Sequence, residues 1–159
     1  MITVTEKIPD IAISVVDSSG RQTMTTNEIF SAKKAVVFTV PGAFTPTCSA
    51  RHLPGFIEHA EAFKAKGIDL IACLSVNDAF VMEAWAINVG SCDDVLMIAD
   101  GNAELVRALD LDDDQSLLGM GMRARRSAMI IRDSIVESVF VEPKGSFGIS
   151  SAESVLKAL

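Results

Sequence analysis

The residues best placed to do chemistry lie in the segment Val40-Pro-Gly-Ala-Phe-Thr-Pro-Thr-Cys-Ser49. Ala35–Val40 (AVVFTV) is continuously apolar and rich in β-branched residues, so it reads as a strand buried on both faces. Pro41 and Gly42 stop it, Thr45 is a good N-cap, and Pro46 suits a first helical position. Cys48 then falls just inside a helix start that follows a buried strand. Unpaired amide donors and about half a positive charge gather there and favour the thiolate, the reactive form of a cysteine. Pinned by proline and glycine, the sulfur should occupy a defined, partly exposed spot. An inert buried thiol is the competing reading, because free cysteine is among the most buried residue types.

Three residues before Cys48 stands Thr45, so the segment reads Thr-x-x-Cys. A Cys-x-x-Cys dithiol shuttle is therefore unavailable. A hydroxyl in place of the first thiol can accept a hydrogen bond near the attacking sulfur and donate one to an oxygen of the substrate. A peroxide would use that help. The thiolate attacks one oxygen, the O–O bond lengthens, and charge grows on the leaving oxygen, where fixed donors stabilise it.

Pro41-x-x-x-Thr45-x-x-Cys48 resembles the PxxxTxxC signature of the peroxiredoxins. The run PGAFTPTCSARHLPGF, the later SVNDAFVMEAW and the closing FGISSAESVLKAL resemble the peroxiredoxin-5, or type II, subfamily, and the resemblance extends from about Ile8 to Leu159. It implies an α/β, thioredoxin-like fold with peroxiredoxin insertions and a thiol-dependent peroxidase acting on hydrogen peroxide and alkyl hydroperoxides. It makes Cys48 the peroxidatic cysteine, has Thr45 bond the peroxide and orient the thiol, and has Pro41 shield the nascent sulfenic acid. A family arginine that activates the thiolate matches Arg126. A fixed cation suits both jobs on physical grounds. Arg123 and Arg125 compete for the role but read better as a solvated basic loop offsetting Asp112–Asp114.

The C-terminal resolving cysteine kept by part of the subfamily is Ser150 here, so no disulfide can form at that position. Cys73 matches a second cysteine of the plant and bacterial type II branch, and a resolving role and a buried structural role stand level for it. Cys92, among Asp93 and Asp94, reads as a bland exposed thiol. The expected cycle uses mainly one cysteine, with glutathione and glutaredoxin, or else thioredoxin, as reductant. The resemblance also implies a homodimer. Some of Phe44, Phe80, Leu117, Leu118, Met120 and Phe147 would form an apolar funnel for organic peroxides, against a core role for each. A peroxide sensor that relays oxidation to a partner is a rival reading that shares the first step. A non-catalytic scaffold is a further rival, but it needs none of the Pro41, Thr45, Cys48 and Arg126 set.

Other motifs are weak. Cys48 and His52 are four apart and could form a dyad or half a metal site, but three Cys and two His lack zinc spacing, and no group is apparent that would orient His52. His59 reads as solvated. No phosphate-binding or dinucleotide fingerprint occurs, so no cofactor is expected.

The elements that must position Cys48 follow from the hydrophobic pattern. Ala12–Asp17 alternates and ends in a Ser18-Ser19-Gly20 turn, and Thr25–Ala32 suits a short helix. Thr45–Lys66 reads as one long helix with a kink around Ala50–Leu53, because Pro54 cannot donate to the Ala50 carbonyl. Ile68–Val76 and Val95–Ala99 are strands, and Asp78–Val89 and Asn102–Leu109 are helices. Leu111–Gly121 reads as a loop. Ala128–Ile131 and Ile135–Val141 form a hairpin, and Ser150 or Ser151 caps a last helix. Strands alternating with helices and closed by a hairpin predict a mixed sheet flanked by helices, in one domain over 1–159. The 159 residues carry 14 basic and 21 acidic side chains, a net charge of −7 that argues against binding nucleic acid or anionic membrane. No apolar run suits a signal peptide or a membrane span, and the odd cysteine count points to a reducing compartment, the cytoplasm.

Overall fold

The computed structural model describes residues Met1–Leu159. Strands β1 (Ala12–Asp17) and β2 (Gly20–Thr25) pair as a hairpin. Helix α1 (Thr26–Phe30) follows, its start closed by a capping box between Thr25 and Glu28. Strand β3 (Lys34–Val40) leads through a loop into a π-helical turn at Cys48–His52, then α2 (Leu53–Glu58) and α3 (Ala60–Ala65). Next come β4 (Leu70–Ser75), α4 (Ala79–Val89), β5 (Leu96–Ala99) and α5 (Glu104–Ala108). A small pair, β6 (Asp112–Asp114) and β7 (Met122–Ala124), precedes β8 (Ser127–Arg132), β9 (Ile135–Val141) and α6 (Ala152–Lys157).

Seven strands form one sheet in the order β2-β1-β5-β4-β3-β8-β9. The central β3, β4 and β5 run parallel, and the flanking strands pair antiparallel, which gives the mixed α/β sheet the pattern predicts. Alternate residues of the central strands feed two separate cores. Val36, Phe38, Val40, Cys73, Ala128 and Ile130 face α2, α3, α4 and α6, where Phe56, Phe63, Met82 and Trp85 are buried. Val37, Leu74, Ile98, Met129 and Ile131 face the opposite side, where Ile29, Phe30, Leu105 and Leu109 close the second core. With helices on both faces, the central strands must be apolar throughout.

The chain departs from the predicted pattern in three places. β2 was not legible because its residues (GRQTMT) lie on a solvated edge and offer no apolar alternation. Leu111–Gly121 is not all loop, since β6 pairs with β7 and a single 3₁₀ turn spans Ser116–Leu118. The long helix at Thr45–Lys66 is broken twice. The expected kink is a π-helical turn in which the Leu53 amide reaches back to the Cys48 carbonyl, and a second break falls at His59. Thr45 does not cap with its side chain; its hydroxyl donates back to the Gly42 carbonyl at 2.7 Å.

One buried contact fixes where the site-bearing end of β8 begins. Thr39 of β3 hydrogen-bonds through its hydroxyl to the Arg125 carbonyl and, at 2.6 Å, to the Ser127 hydroxyl. Thr39→Val keeps the shape but leaves the buried Ser127 hydroxyl and the Arg125 carbonyl short of a partner. The expected cost is about 1–3 kcal/mol of stability in urea unfolding at unchanged m-value; an unaltered midpoint would show that these bonds do not anchor β8.

Candidate active site

The loop after β3 ends at the C-terminal edge of the parallel strands, where open α/β sheets hold their ligands. Its backbone is tied down from several sides. The Ala43 amide donates to Asn77 Oδ1 at 2.9 Å, and the Ser75 hydroxyl holds the same oxygen at 2.6 Å. A Cβ on Gly42 would stand 3.0 Å from Arg123 Nη1 and 3.2 Å from the Thr45 methyl, so a larger residue there would have to push these side chains aside. Phe44 adopts a left-handed conformation (φ 62°), a strained choice for an aromatic residue immediately before Thr45.

Beyond this loop Cys48 has no exposed surface, contrary to the partly exposed position expected of it. The π-helical turn packs it against the core beneath α2, alongside Phe38, Cys73 and Trp85. Its sulfur accepts a hydrogen bond from Arg126 Nη2 at 3.3 Å. Arg126 stands immediately before β8 and is half-buried. Its other terminal nitrogen, Nη1, lies 3.0 Å from His52 Nδ1. Arginine can only donate, so Nδ1 is the acceptor and the imidazole proton sits on Nε2, which donates to the Ser150 carbonyl at 2.9 Å. His52 is thus the oriented residue that the sequence left without an orienting group. It partners Arg126 and not Cys48, so the two residues four apart share a cation and form neither a dyad nor a metal pair.

His52 is boxed by rings. Phe38 and Phe147 lie 5.0 Å from it and Phe56 lies 5.7 Å away. Burial pushes its pKa down to about 3, the Arg126 charge adds to the fall, and the Ser150 bond and Glu142 oppose it. The imidazole is therefore neutral at any ordinary pH. Ser150 is buried as well, with its amide and hydroxyl 2.8 and 2.9 Å from Glu142 Oε1.

The remaining candidates are dispersed. Pro41, Thr45, Arg51, Arg126 and Phe147 line a cleft of about 1010 Å³ whose far wall includes Leu117, Leu118 and Met120. Leu117 and Leu118 are exposed, so the core role weighed for them is excluded, as it is for exposed Phe44 and Phe80. Arg123 is no solvated loop residue: it donates to the Met120 and Val76 carbonyls and braces Gly42. Arg125 lines the cleft beside Asp112 and Asp113. Cys73, in the middle of β4, is fully buried. Burial pushes its thiol well above the ordinary range, and a charge on Cys48 pushes the same way. Cys92 is half-buried against the core instead of exposed, and His59 is half-buried with Nδ1 2.8 Å from the Gly55 carbonyl. No helix is long and apolar enough to cross a membrane.

Residues 3–156 match the family model named Redoxin. Peroxiredoxin-2E-2, chloroplastic, of Oryza sativa subsp. japonica is 51% identical, over 99% of this chain and 72% of the relative. The crystal structure of reduced Prx3 from Vibrio vulnificus in complex with hydrogen peroxide superposes with a TM-score of 0.94 at 46% identity, covering 99% of each chain. Peroxiredoxin 5 from Alvinella pompejana gives a TM-score of 0.86 at 33% identity, over 99% of this chain and 97% of that one. The sheet and its helices are accordingly a thioredoxin-like fold, as expected.

The buried neutral His52 makes a pH prediction. Its folded pKa lies below its unfolded value of about 6.5, so the unfolded chain takes up a proton first as pH falls. Stability contributed by neutral His52 is complete above about pH 6.5 and is lost on acidification toward pH 3, at up to about 1.4 kcal/mol per pH unit. Urea unfolding between about pH 5 and 6.5, above the carboxylate range, should show this slope in the wild type and lose it in His52→Gln. Equal slopes in both proteins would exclude the buried neutral imidazole as its source.

Proposed function

The chain belongs to the peroxiredoxins, in their peroxiredoxin-5 or type II branch, and reduces peroxides at the expense of thiols; on that footing we propose that Cys48 is its peroxidatic cysteine, served by Arg126, Thr45 and Pro41. The observation that carries the assignment is the 3.3 Å donation from Arg126 Nη2 to the Cys48 sulfur. It pairs the most nucleophilic side-chain type with a cation that cannot lose its charge.

The thiolate attacks the terminal oxygen of ROOH. An S–O bond forms, the O–O bond breaks, and the electron pair leaves on RO⁻, which takes a proton from water to become ROH. Arg126 can follow this charge, because one planar guanidinium offers donors to both the sulfur and the leaving oxygen. Thr45 contributes as an acceptor. Its own proton is committed to Gly42, so the hydroxyl oxygen is left to accept the O–H of the peroxide, a narrower part than the donor role the sequence suggested. Pro41 in the cleft wall limits water at the sulfenic acid.

An external thiol then condenses with the sulfenic acid, releasing water and leaving a mixed disulfide; a second thiol attacks the sulfur of the first, forming a disulfide between the two as the bond to Cys48 breaks and releases its thiolate. Two features support this one-cysteine cycle: Ser150 stands where a resolving cysteine would be, and Cys73 is a buried, neutral thiol. Glutathione with glutaredoxin is the favoured reductant and thioredoxin the alternative. Residues 1–159 act as one catalytic domain in this reading. Exposed Phe44 and Phe80 support a homodimer, and three free cysteines support a reducing compartment, the cytoplasm.

One equivalent of cumene hydroperoxide with dimedone present should add one dimedone to the wild type and to Cys73→Ser, and none to Cys48→Ser, by intact mass. A loss of two protons without adduct would mean a rapid internal disulfide and overturn the one-cysteine cycle, and no change at all would remove Cys48 as the reacting thiol. The apolar cleft wall makes a second prediction. Leu117→Ser with Leu118→Ser should cost several-fold more in kcat/KM for cumene hydroperoxide than for hydrogen peroxide, since about 1 kcal/mol of apolar contact is worth about fivefold. Equal losses for both peroxides would remove these leucines from substrate binding.

A further inference from the structure

Three hydrogen-bonded residues link Cys48 to the buried carboxylate of Glu142. Arg126 Nη2 reaches the sulfur, Arg126 Nη1 reaches His52, His52 reaches the Ser150 carbonyl, and the Ser150 amide and hydroxyl both reach Glu142 Oε1. The Gly148 amide donates to the same oxygen at 2.6 Å. The chain of contacts then closes on itself, because the Glu142 amide donates to the Arg126 carbonyl at 2.9 Å. Glu142 thus holds the backbone of Arg126 directly and its guanidinium through Ser150 and His52.

We infer that Glu142 is a positioning residue for Arg126, acting through Ser150 and His52; the inference rests on the assignment of Cys48 and Arg126 made above. Each link of the relay has a fixed direction. His52 can accept from Arg126 only while its proton is on Nε2, and the Ser150 carbonyl keeps it there. That carbonyl faces His52 because the amide and hydroxyl of the same residue are held by Glu142. With Nη1 fixed on His52, the planar guanidinium has its Nη2 in a set place beside the sulfur. Phe147, on the strap between Glu142 and Ser150, packs edge-on against His52 with its ring centre 5.8 Å from the Arg126 guanidinium carbon. Glu142 itself is only 4% exposed. Burial pushes its carboxyl up, but the bonds from Ser150 and Gly148 more than reverse this, so it remains an anion able to accept all three donors.

Loss of a merely structural carboxylate would lower stability and act on the rate independently of Arg126. A positioning role makes the two residues energetically dependent, which a double-mutant cycle reads. The second-order rate of oxidation by hydrogen peroxide is followed by stopped-flow fluorescence of Trp85, whose indole N–H donates to Ser49 beside Cys48. Glu142→Ala should slow oxidation about tenfold or more, and Glu142→Gln, whose amide oxygen still takes the three donors, should stay within about threefold of wild type. In an Arg126→Ala background Glu142→Ala should change the rate by less than about twofold. If Glu142→Ala does not fold, by circular dichroism, His52→Leu takes its place in the same cycle, since leucine fills the aromatic box and cuts the relay. Losses that multiply across the cycle overturn the inference, as does a Glu142→Ala enzyme with the wild-type rate. A wild-type rate in Arg126→Ala alone would overturn the assignment of Arg126 first, and this inference with it.

Discussion

The sharing of one guanidinium between a sulfur and an imidazole is the constraint around which the rest of the structure is arranged. Arg126 sits where water cannot fully solvate it, so its donors must find acceptors in the protein. It finds Cys48 Sγ on one side and His52 Nδ1 on the other, both from the same helical turn. A cation so placed can meet an anionic sulfur without leaving its own site. The cost is a demand on His52, which must be neutral and must hold the right tautomer. Three phenylalanine rings supply the first condition and the Ser150 carbonyl the second.

The π-helical turn explains how Cys48 and His52 come to face the same group. Pro54 has no amide to give to Ala50, so a regular helix cannot run through this stretch. The chain responds by widening to an amide–carbonyl link from Leu53 to Cys48. Such single-turn insertions cluster at functional sites because they re-aim side chains at the expense of helix regularity. Here the gain is that Cys48 drops wholly into the core while His52 turns toward β8, and Ser49 reaches the Trp85 indole. Leu53 and Phe56 resume helical packing directly afterwards, so the disturbance stays local.

How much of this the sequence discloses depends on whether a feature is written in local pattern or in tertiary contact. β3, β4 and β8 are legible because strands buried on both faces leave long apolar runs, and β9 because a tight turn joins a further β-rich run to β8. β2 and β6 are not, because short solvated strands such as GRQTMT and DDD carry no such run and form only because a partner lies beside them. The same division holds at the site. Cys48, Thr45 and Arg126 could be named from a motif and from the run that precedes Ser127. His52, Ser150 and Glu142 could not be joined, because the links among them span sequence separations that no periodicity records. One signal was available for His52: it lies four residues from Cys48 and therefore shares a helical face with it. Arg123 misleads in the opposite way, since nothing in a basic run reveals that one of its members is braced against Gly42.

Burial of Cys48 sets the terms for its regeneration in the proposed cycle. A sulfur with no exposed surface cannot meet an external thiol unless something moves, and the neighbouring elements differ greatly in what motion costs. Cys73 lies on β4, hydrogen-bonded to β3 on one side and β5 on the other, in the middle of the sheet. Bringing it to Cys48 would break parallel pairing on both edges and open both cores. The π-helical turn lies beyond the end of β3, beside the cleft lined by Pro41, Thr45 and Arg126, and its unwinding would break the bonds of Cys48, His52 and Ser49 to Arg126, Ser150 and Trp85 while leaving the sheet ladder intact. In the proposed one-cysteine cycle, opening from the Cys48 side would present the oxidised sulfur to thiols from solution without breaking the sheet. The burial that holds the sulfur against Arg126 and the proposed one-cysteine cycle are in this sense tied to a single placement: a cysteine on a turn outside the sheet, packed over a strand that is costly to disturb.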